Sequence, residues 1–272
     1  MYTQFYGLKE NPFNVTSDPD YLFMSRHHKE AYSHLIYGIK ERKGFVEITG
    51  EIGTGKTTLC QALLRKISHK IKTALILNPA LSEFQLLQFI LEDLGLQAEG
   101  KNKFSLLKTL NNYLINELAH GHNVVLIIDE AQNLRGRLLE HIRLLSNLET
   151  DKEKLIQIIL VGQPELKKRL ARDDLIQLRQ RIAIRYHILP LDKDEIKAYI
   201  YHRLKIAGCS KEITFTDGAI DQLYLYTSGT PRLINIVCDK VLLSGFVQGI
   251  TSFGEDIINS AIDEIEGKIA VK

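Results

Sequence analysis

The fold of this chain is decided by one glycine-rich stretch, Gly50-Glu51-Ile52-Gly53-Thr54-Gly55-Lys56-Thr57, which follows the mostly apolar run 45–49. Glycine adopts positive φ angles without steric cost, so such a turn can direct several backbone N–H groups inward around an anion. The spacing matches a phosphate-binding loop, in which a strand leads into the turn and the turn opens a helix. We therefore expect this stretch, together with the adjoining Thr58, to bind the phosphates of ATP or ADP.

The two residues that close the loop have separate predicted roles. Lys56 is expected to reach the β- and γ-phosphates, and the Thr57 hydroxyl is expected to ligate Mg²⁺. A helix that starts near Gly55 adds the positive end of its dipole. The alternative is a glycine turn that binds nothing. The complete spacing, the Lys-Thr ending and the preceding strand all argue against it.

A pair of acidic residues, Asp129-Glu130, follows the run 124–128, which is apolar at every position like a strand covered on both faces. We expect Asp129 to hold Mg²⁺, directly or through a water, and Glu130 to polarise the water that attacks the γ-phosphate. Acidic residues after a strand can instead cap the next helix. A glutamate beside the aspartate favours an ATP-hydrolysing motor over a nucleotide kinase or a small GTPase.

Composition is that of an ordinary soluble globular protein, with 272 residues, 44% hydrophobic, 25% charged and a net charge of +2. The three cysteines are far apart and lack metal-ligand spacing, which indicates buried thiols in a reducing compartment. No signal segment opens the chain and its apolar runs have strand length, so we expect a soluble protein.

Strand-like and helical patterns alternate as far as residue 188, which predicts a parallel three-layer α/β sheet with ligands at the carboxyl ends of its strands. Thr49-Gly50, Asp129-Glu130 and Gln163 all fall at such ends, in support of one nucleotide site. After Pro190 the pattern is helical throughout, with four predicted helices. We therefore divide the chain into a nucleotide-binding domain, residues 1–190 with the N-terminal arm, and a helical lid domain, residues 191–272.

The N-terminal arm is too apolar to be disordered. The helix predicted over residues 28–42 carries His28 and His34, and His27 precedes it. No carboxylate or cysteine cluster completes a metal site with these histidines, so we expect them to be solvated.

Taken together, residues 50–57, 124–132, Gln163, Arg181 and 229–232 resemble an AAA+ ATPase. The opening segments 5–8 and 11–13 narrow the resemblance to the branch typified by the type II secretion ATPases of the ExeA/GspA type. It covers nearly the whole chain, and transposition regulators of the TniB/TnsC kind share much of it. The resemblance implies a P-loop NTPase sandwich whose five-stranded sheet has the order 5-1-4-3-2, with a helical lid.

The resemblance also implies residue roles. Gln163 stands where the family's sensor 1 contacts the γ-phosphate or the attacking water, although many members have asparagine there. Arg232 matches sensor 2, which reaches the γ-phosphate from the lid. Arg181 matches the arginine finger that acts on a neighbouring subunit, with Arg179 as the alternative; each arginine could instead form a surface or interface salt bridge. Pro12 and Phe13 resemble the segment that covers the adenine, and their simplest alternative is a plain turn.

A finger acting in trans implies a ring or helical homo-oligomer, with a hexamer among the options. The first predicted function is an ATPase that assembles envelope or secretion machinery. We expect it to be cytoplasmic, or to be held at the inner face of the membrane by a partner or by a further C-terminal region. This chain itself is not expected to insert into the membrane. Because the chain stops at Lys272, we expect a fragment or a stand-alone relative. The alternatives are a DNA-associated ATPase, for which Lys167-Lys168-Arg169 and Arg172 could supply a basic patch, and a non-hydrolysing nucleotide-gated scaffold. One core and a lid are too little chain for a tandem-core helicase.

Overall fold

A five-stranded parallel sheet forms the centre of the larger part of the chain in the computed structural model, which describes residues 2–98 and 102–268. Its strands run in the order β2-β3-β4-β1-β5, which confirms the predicted order read from the opposite edge. The bounds of the strands are Phe45–Gly50 (β1), Ile71–Ile76 (β2), Asn123–Ile128 (β3), Gln157–Gly162 (β4) and Ile182–Ile188 (β5).

Twelve α-helices are found in the described residues. In chain order they are Tyr2–Tyr6 (α1), Arg26–Lys40 (α2), Lys56–Lys66 (α3), Glu83–Asp93 (α4), Lys103–Ala119 (α5), Gly136–Leu145 (α6), Pro164–Leu170 (α7), Ile176–Arg181 (α8), Lys193–Ile206 (α9), Asp217–Thr227 (α10), Pro231–Gln248 (α11) and Glu255–Ile265 (α12). Short 3-10 turns occupy Pro19–Tyr21, Ala131–Asn133 and Asp173–Leu175.

The central strands are buried on both faces, as their apolar sequences predict. Every residue of β1, β3 and β4 is buried. Alternate side chains of β3 and β4, including Leu126 and Leu160, join one hydrophobic core with apolar residues of α4, α5 and α6. The remaining side chains of these strands are equally buried, which is the pattern of a parallel sheet covered by helices.

The carboxyl ends of three neighbouring strands bring the predicted polar residues to one edge of the sheet. Thr49 in β1 pairs with Gly162 in β4, and Ile128 closes β3 just before Asp129. The Asp129 N–H donates to the carbonyl of Ile76 over 2.8 Å and so extends the ladder with β2. The entry to the glycine loop, the acidic pair and Gln163 therefore leave the same edge, as the topology of a parallel α/β sheet requires.

Packing divides the chain into two compact units. One consists of Lys29–Ile52 and Leu59–Ile188 and holds the sheet. The other consists of Met1–His28, Gly53–Thr58 and Leu189–Lys272, and its core is formed mainly by α9, α10, α11 and α12. Tyr6 and Phe13 are buried in that second core, so the N-terminal arm packs with the C-terminal helices, whereas the predicted division groups it with the nucleotide-binding domain. The two-domain division at residue 190 stays a prediction.

Local details differ from the sequence-based expectation in two further places. The sequence pattern after the acidic pair predicts a helix over residues 134–148, whereas the helix in the structure spans only Gly136–Leu145, because the 3-10 turn at Ala131–Asn133 precedes it. The C-terminal part is also not purely helical, since two short parallel strands, Thr214–Phe215 (β6) and Ser252–Phe253 (β7), pair with each other and contribute Phe215 and Phe253 to its core. In the described ranges 2–98 and 102–268, no helix is both long and apolar enough to cross a membrane.

Candidate functional site

The glycine loop has the conformation that a phosphate cradle requires. It leaves β1 at Gly50 and ends where α3 begins at Lys56. Gly53 and Gly55 adopt φ angles of +80° and +89°, which a residue with a side chain rarely adopts. Thr54 is fully buried and Lys56 is 6% exposed, whereas Gly55 and Thr57 are partly exposed.

The start of α11 lies directly against this loop. The Arg232 N–H donates to the carbonyl of Gly53 over 3.2 Å. A Cβ at Gly53 would come within 2.6 Å of the Arg232 Cβ, so only glycine permits this approach. The side chain of Arg232 is exposed. The backbone of Arg232, the predicted sensor 2 residue, therefore contacts the glycine loop. Its side chain is expected to reach the γ-phosphate of a nucleotide bound by that loop.

His28 contacts the same loop, although the sequence predicted it to be solvated. It lies in the first turn of α2, is 3% exposed, and places its Nε2 atom 2.9 Å from the carbonyl oxygen of Thr54. Its Nδ1 atom lies 2.7 Å from the Ser25 hydroxyl. Burial lowers the pKa of His28, because desolvation disfavours the charged ring. The solvated interpretation of this residue is wrong, since its polar atoms bond to protein groups.

The acidic pair holds an unusual backbone conformation. Glu130 has φ 50° and ψ 35°, the left-handed region that a non-glycine residue enters at a cost. Asp129 is 2% exposed, and its Oδ1 atom accepts the Glu130 N–H over 2.8 Å. The 3-10 turn at residues 131–133 follows at once. Strain of this kind concentrates at functional sites. The catalytic role of Glu130 stays a prediction.

Two side-chain amides converge on one oxygen of Glu130. The Nε2 atoms of Gln132 and Gln163 donate to Glu130 Oε2 over 2.5 and 3.1 Å. Gln132 Oε1 in turn accepts the Gln163 N–H over 3.0 Å. A Cβ at Gly162 would lie 2.7 Å from Gln132 Oε1, so the glycine that ends β4 makes room for this amide. The structure thus joins Gln163 and Gln132 to Glu130, a network that the sequence did not reveal. The catalytic roles of Gln163 and Glu130 stay predictions.

The two candidate finger arginines are bonded within their own chain. Arg181 ends α8 and donates to the carbonyl of Arg143 over 3.1 Å and to the Ser146 hydroxyl over 2.6 Å. It also donates to the side-chain oxygen of Asn147. Arg179 donates to the carbonyl of Ala171 over 3.2 Å. A role in trans stays a prediction for both, and Arg181 would have to leave three acceptors to perform it.

Pro12 and Phe13 lie in the N-terminal arm, where a buried arginine holds the chain. Phe13 is 2% exposed, in the core of the unit that contains the C-terminal helices. Arg203 is 6% exposed and donates to the carbonyl oxygens of Pro12 and Asn14 over 2.5 and 3.1 Å. The segment is thus a fixed loop. Its predicted contact with adenine stays a prediction.

The residues present fit a nucleotide and a magnesium ion. Two glycines at positive φ, a helix that starts at Lys56 and a buried lysine form the kind of cradle that binds phosphates. Thr57, in the unit that contains the loop, carries a hydroxyl, and Asp129, in the unit that holds the sheet, carries a carboxylate. Both are oxygen donors of the kind that magnesium prefers, and their joint role stays a prediction. In the described part of the chain no group of three or more His, Cys, Asp or Glu side chains could hold a metal by itself.

Comparison with known proteins shows which proteins this chain resembles. Residues 39–170 match the family model of the AAA domain. The chain is 44% identical to General secretion pathway protein A of Aeromonas hydrophila over 268 residues, which is 98% of this chain and 49% of that protein. It therefore spans about half the length of that relative. The predicted resemblance to AAA+ ATPases of the ExeA/GspA type is confirmed.

Solved structures of distant proteins have a similar fold, and at this level of identity the comparison concerns the fold only. The structure of the Aeropyrum pernix ORC2 protein in its ADPNP-ADP complexes superposes with a TM-score of 0.67 at 17% identity, over 94% of this chain and 72% of that one. The Holliday junction branch migration motor RuvB of Thermotoga maritima gives a TM-score of 0.57 at 17% identity, over 87% and 67%. Both matches support the predicted P-loop NTPase architecture.

Proposed function

Because this chain is a relative of General secretion pathway protein A with an AAA domain at residues 39–170, we propose that it binds ATP with Mg²⁺ and hydrolyses it in a homo-oligomer. The observation that carries this proposal is the glycine loop, whose positive-φ glycines and following helix form a phosphate cradle after β1. The acidic pair and Gln163 support it, since they leave the same edge of the sheet as the entry to that loop.

Within this proposal the chain's own residues divide the work. Backbone N–H groups of residues 53–58 bind the phosphates, and Lys56 reaches the terminal ones. Thr57 and Asp129 would hold the magnesium ion, which when bound neutralises charge developing on the phosphate oxygens. Glu130 takes a proton from the attacking water, while Gln163 orients that water and the carboxylate. Arg232 stabilises the γ-phosphate in its own subunit.

The proposed client is a component of envelope or secretion machinery, because the relative at 44% identity is named for the general secretion pathway. The basic patch that would favour DNA is weaker than its sequence suggested. Arg172 pairs with Asp174 at 3.0 Å, and Arg169 donates to the carbonyl of Gln132. A DNA-associated ATPase and a non-hydrolysing scaffold are therefore treated as alternative outcomes of the following test.

The test measures the rate of ATP hydrolysis per subunit against protein concentration, with and without duplex DNA. We expect a cooperative rise with concentration and no effect of DNA. A salt-sensitive stimulation by DNA would replace the secretion proposal with the DNA-associated one. Tight ATP binding with negligible turnover at every concentration would identify a nucleotide-gated scaffold.

A mixing experiment tests the finger in trans. Arg181→Ala keeps the base and loses the finger, whereas Glu130→Gln keeps the finger and loses the base, so mixing these two inactive chains should restore part of the activity. Mixing Arg181→Ala with the doubly substituted Glu130→Gln/Arg181→Ala chain supplies no finger and should restore none. If Arg181→Ala remains active, and if Arg179→Ala is inactive alone but regains activity when mixed with Glu130→Gln, the finger is Arg179.

A further inference from the structure

His28 is a buried histidine whose two ring nitrogens have assignable roles. The carbonyl oxygen of Thr54, 2.9 Å from Nε2, can only accept a hydrogen bond, so Nε2 carries the proton and donates it. The Nδ1 atom lies 2.7 Å from the hydroxyl of Ser25, itself 2% exposed. A neutral ring accepts at Nδ1, so the Ser25 hydroxyl donates there. Ser25 thus fixes the tautomer that presents a donor to the glycine loop.

The contact orients one particular peptide group. In a trans peptide the C=O and N–H bonds point in opposite directions. A carbonyl of Thr54 that is held against His28 therefore turns the N–H of Gly55 away from His28. Gly55 has a φ of +89°, and a Cβ there would come 3.0 Å from His28 Nε2, so the ring packs directly on this glycine.

The neighbouring peptide is held in the same manner from another element. The carbonyl of Gly53 accepts the N–H of Arg232 over 3.2 Å, which fixes the direction of the Thr54 N–H. Two successive loop carbonyls are thus bonded to protein, one by the start of α11 and one by the start of α2. Peptides next to glycine flip readily, since glycine tolerates both signs of φ.

We propose that His28 is a positioning residue for nucleotide binding, whose Nε2–H bond to Thr54 keeps the Gly55 N–H directed at the phosphates. This rests on the proposed nucleotide-binding function of the loop. The bond is made within the protein and does not change as the phosphate reacts. Its loss should therefore weaken the binding of ATP and ADP alike and leave the rate at saturation unchanged.

The test compares His28→Leu, which fills a similar volume without a donor, with His28→Gln, whose amide N–H can take the place of Nε2–H. Dissociation constants for ADP with Mg²⁺ are measured by calorimetric titration, and KM and kcat for ATP by phosphate release. Because His28→Leu leaves a buried carbonyl without its donor, we expect about a tenfold weaker ADP affinity. KM should rise by a similar factor at constant kcat, and His28→Gln should restore most of the affinity.

A readout on the nucleotide-free protein separates positioning from catalysis. Amide hydrogen exchange of the segment that covers residues 50–58 should be faster in His28→Leu than in the wild type and close to wild type in His28→Gln. His34 is exposed on the same helix, so His34→Leu is the matched control. It should change neither the affinity for ADP nor the hydrogen exchange of residues 50–58. Ser25→Ala removes the hydroxyl that fixes the tautomer and that also accepts the backbone N–H of His28 over 3.3 Å. It should weaken ADP affinity in the same direction by a smaller factor, and it serves if His28→Leu does not fold.

Wild-type ADP affinity in folded His28→Leu would overturn the proposal. An affinity of His28→Gln as low as that of His28→Leu would overturn it too, because the donor would then be irrelevant. A fall in kcat at constant affinity would assign His28 to another step. Failure of the wild type itself to bind ADP or ATP would reject the nucleotide-binding function, and with it this inference.

Discussion

The glycine loop and the acidic end of β3 are built on opposite principles. The loop is fixed through its main chain, by positive φ angles at Gly53 and Gly55 and by carbonyls bonded to other elements. The acidic end is fixed through side chains, since the amides of Gln132 and Gln163 hold one oxygen of Glu130. For the proposed ATPase we infer from this difference that backbone geometry sets nucleotide affinity and that the side-chain amides set the rate of hydrolysis.

The largest effect is expected at Glu130. Glu130→Gln keeps the size of the side chain and removes the general base, so kcat should fall at least about 100-fold. Affinity for ATP should be unchanged, because the glycine loop is untouched. Steady-state turnover and equilibrium binding of ATP check both expectations.

Glu165→Gln is the matched control for this change. Glu165 is exposed in the first turn of α7, two residues after Gln163, and its substitution should leave both quantities unchanged. Near-normal turnover by Glu130→Gln would show that Glu130 is not the general base. It would also reject the inference that side chains at the acidic end of β3 set the rate.

The next effect is expected in the loop, and it should fall on affinity. In Gly53→Ala the new Cβ would stand 2.6 Å from the Cβ of Arg232, at a φ of +80° that alanine disfavours. The loop or the start of α11 must shift, and we expect ADP affinity to fall about tenfold or more. Calorimetric titration with ADP measures this loss.

Gly95→Ala separates general backbone strain from loop geometry. Gly95 has a φ of +78° with nothing within 4 Å of the added Cβ, so the substitution imposes similar strain far along the chain from the loop. It should lower stability slightly and leave ADP affinity intact. Equal losses of affinity in the two variants would show that strain, and not the loop, is responsible.

A smaller effect on rate is expected at Gln132. Gln132→Met keeps the length of the side chain but removes a donor to Glu130 Oε2 and the acceptor for the Gln163 N–H. We expect kcat to fall about tenfold with unchanged ADP affinity, which corresponds to one hydrogen bond to a charged group. Turnover and binding are measured as above, with Gln97→Met on an exposed segment as the control.

Coupling between the two amides can be measured directly. If Gln132 and Gln163 hold Glu130 as one unit, the loss of rate in the double variant with both residues changed to Met should be smaller than the sum of the single losses in free energy. Strict additivity, or a loss of affinity in place of rate, would contradict the division between backbone and side-chain control.

The same contrast explains what could be predicted from the sequence. The strand ends and the glycine loop are local in the chain, so apolar runs and the spacing of residues 50–57 were sufficient to find them. The sheet order came from the family resemblance. The amide network joins Glu130 to Gln132, two positions away, and to Gln163, 33 positions away. It also requires a glycine at position 162, where a Cβ would clash with the Gln132 amide. A single sequence reveals none of these contacts.

Burial of polar residues was the other feature that the sequence did not reveal. His28 stands among polar neighbours at a helix start, a context typical of solvated side chains, and only the fold places Ser25 and Thr54 at its two nitrogens. Arg181 is only half-buried, but its three acceptors at and just after the end of α6 likewise lie distant in sequence, 34 to 38 residues away. Polar groups are buried where partners converge, and partners distant in sequence are not visible in a pattern.

The smallest effect is expected on stability, at a buried polar residue without such partners. His141 on α6 is 3% exposed, and within the described residues neither of its ring nitrogens has a hydrogen-bond partner. An unsatisfied buried polar group costs about 1–3 kcal/mol. His141→Leu should therefore raise the free energy of unfolding by about 1 kcal/mol at pH 8, without the loss of turnover expected for Gln132→Met.

The gain from His141→Leu should depend on pH. Burial, and then the charge of Lys103, lower the pKa of His141 in the folded protein below its usual value of 6.5. As the pH falls below that value, the unfolded chain binds a proton that the folded chain resists, so the wild type loses stability and the variant escapes this loss. Urea unfolding at pH 8 and pH 5.5 should show a larger gain at pH 5.5, whereas His69→Leu on an exposed turn should show none. A variant less stable than the wild type at both values would mean that the ring is held by interactions stronger than its unpaired nitrogens indicate.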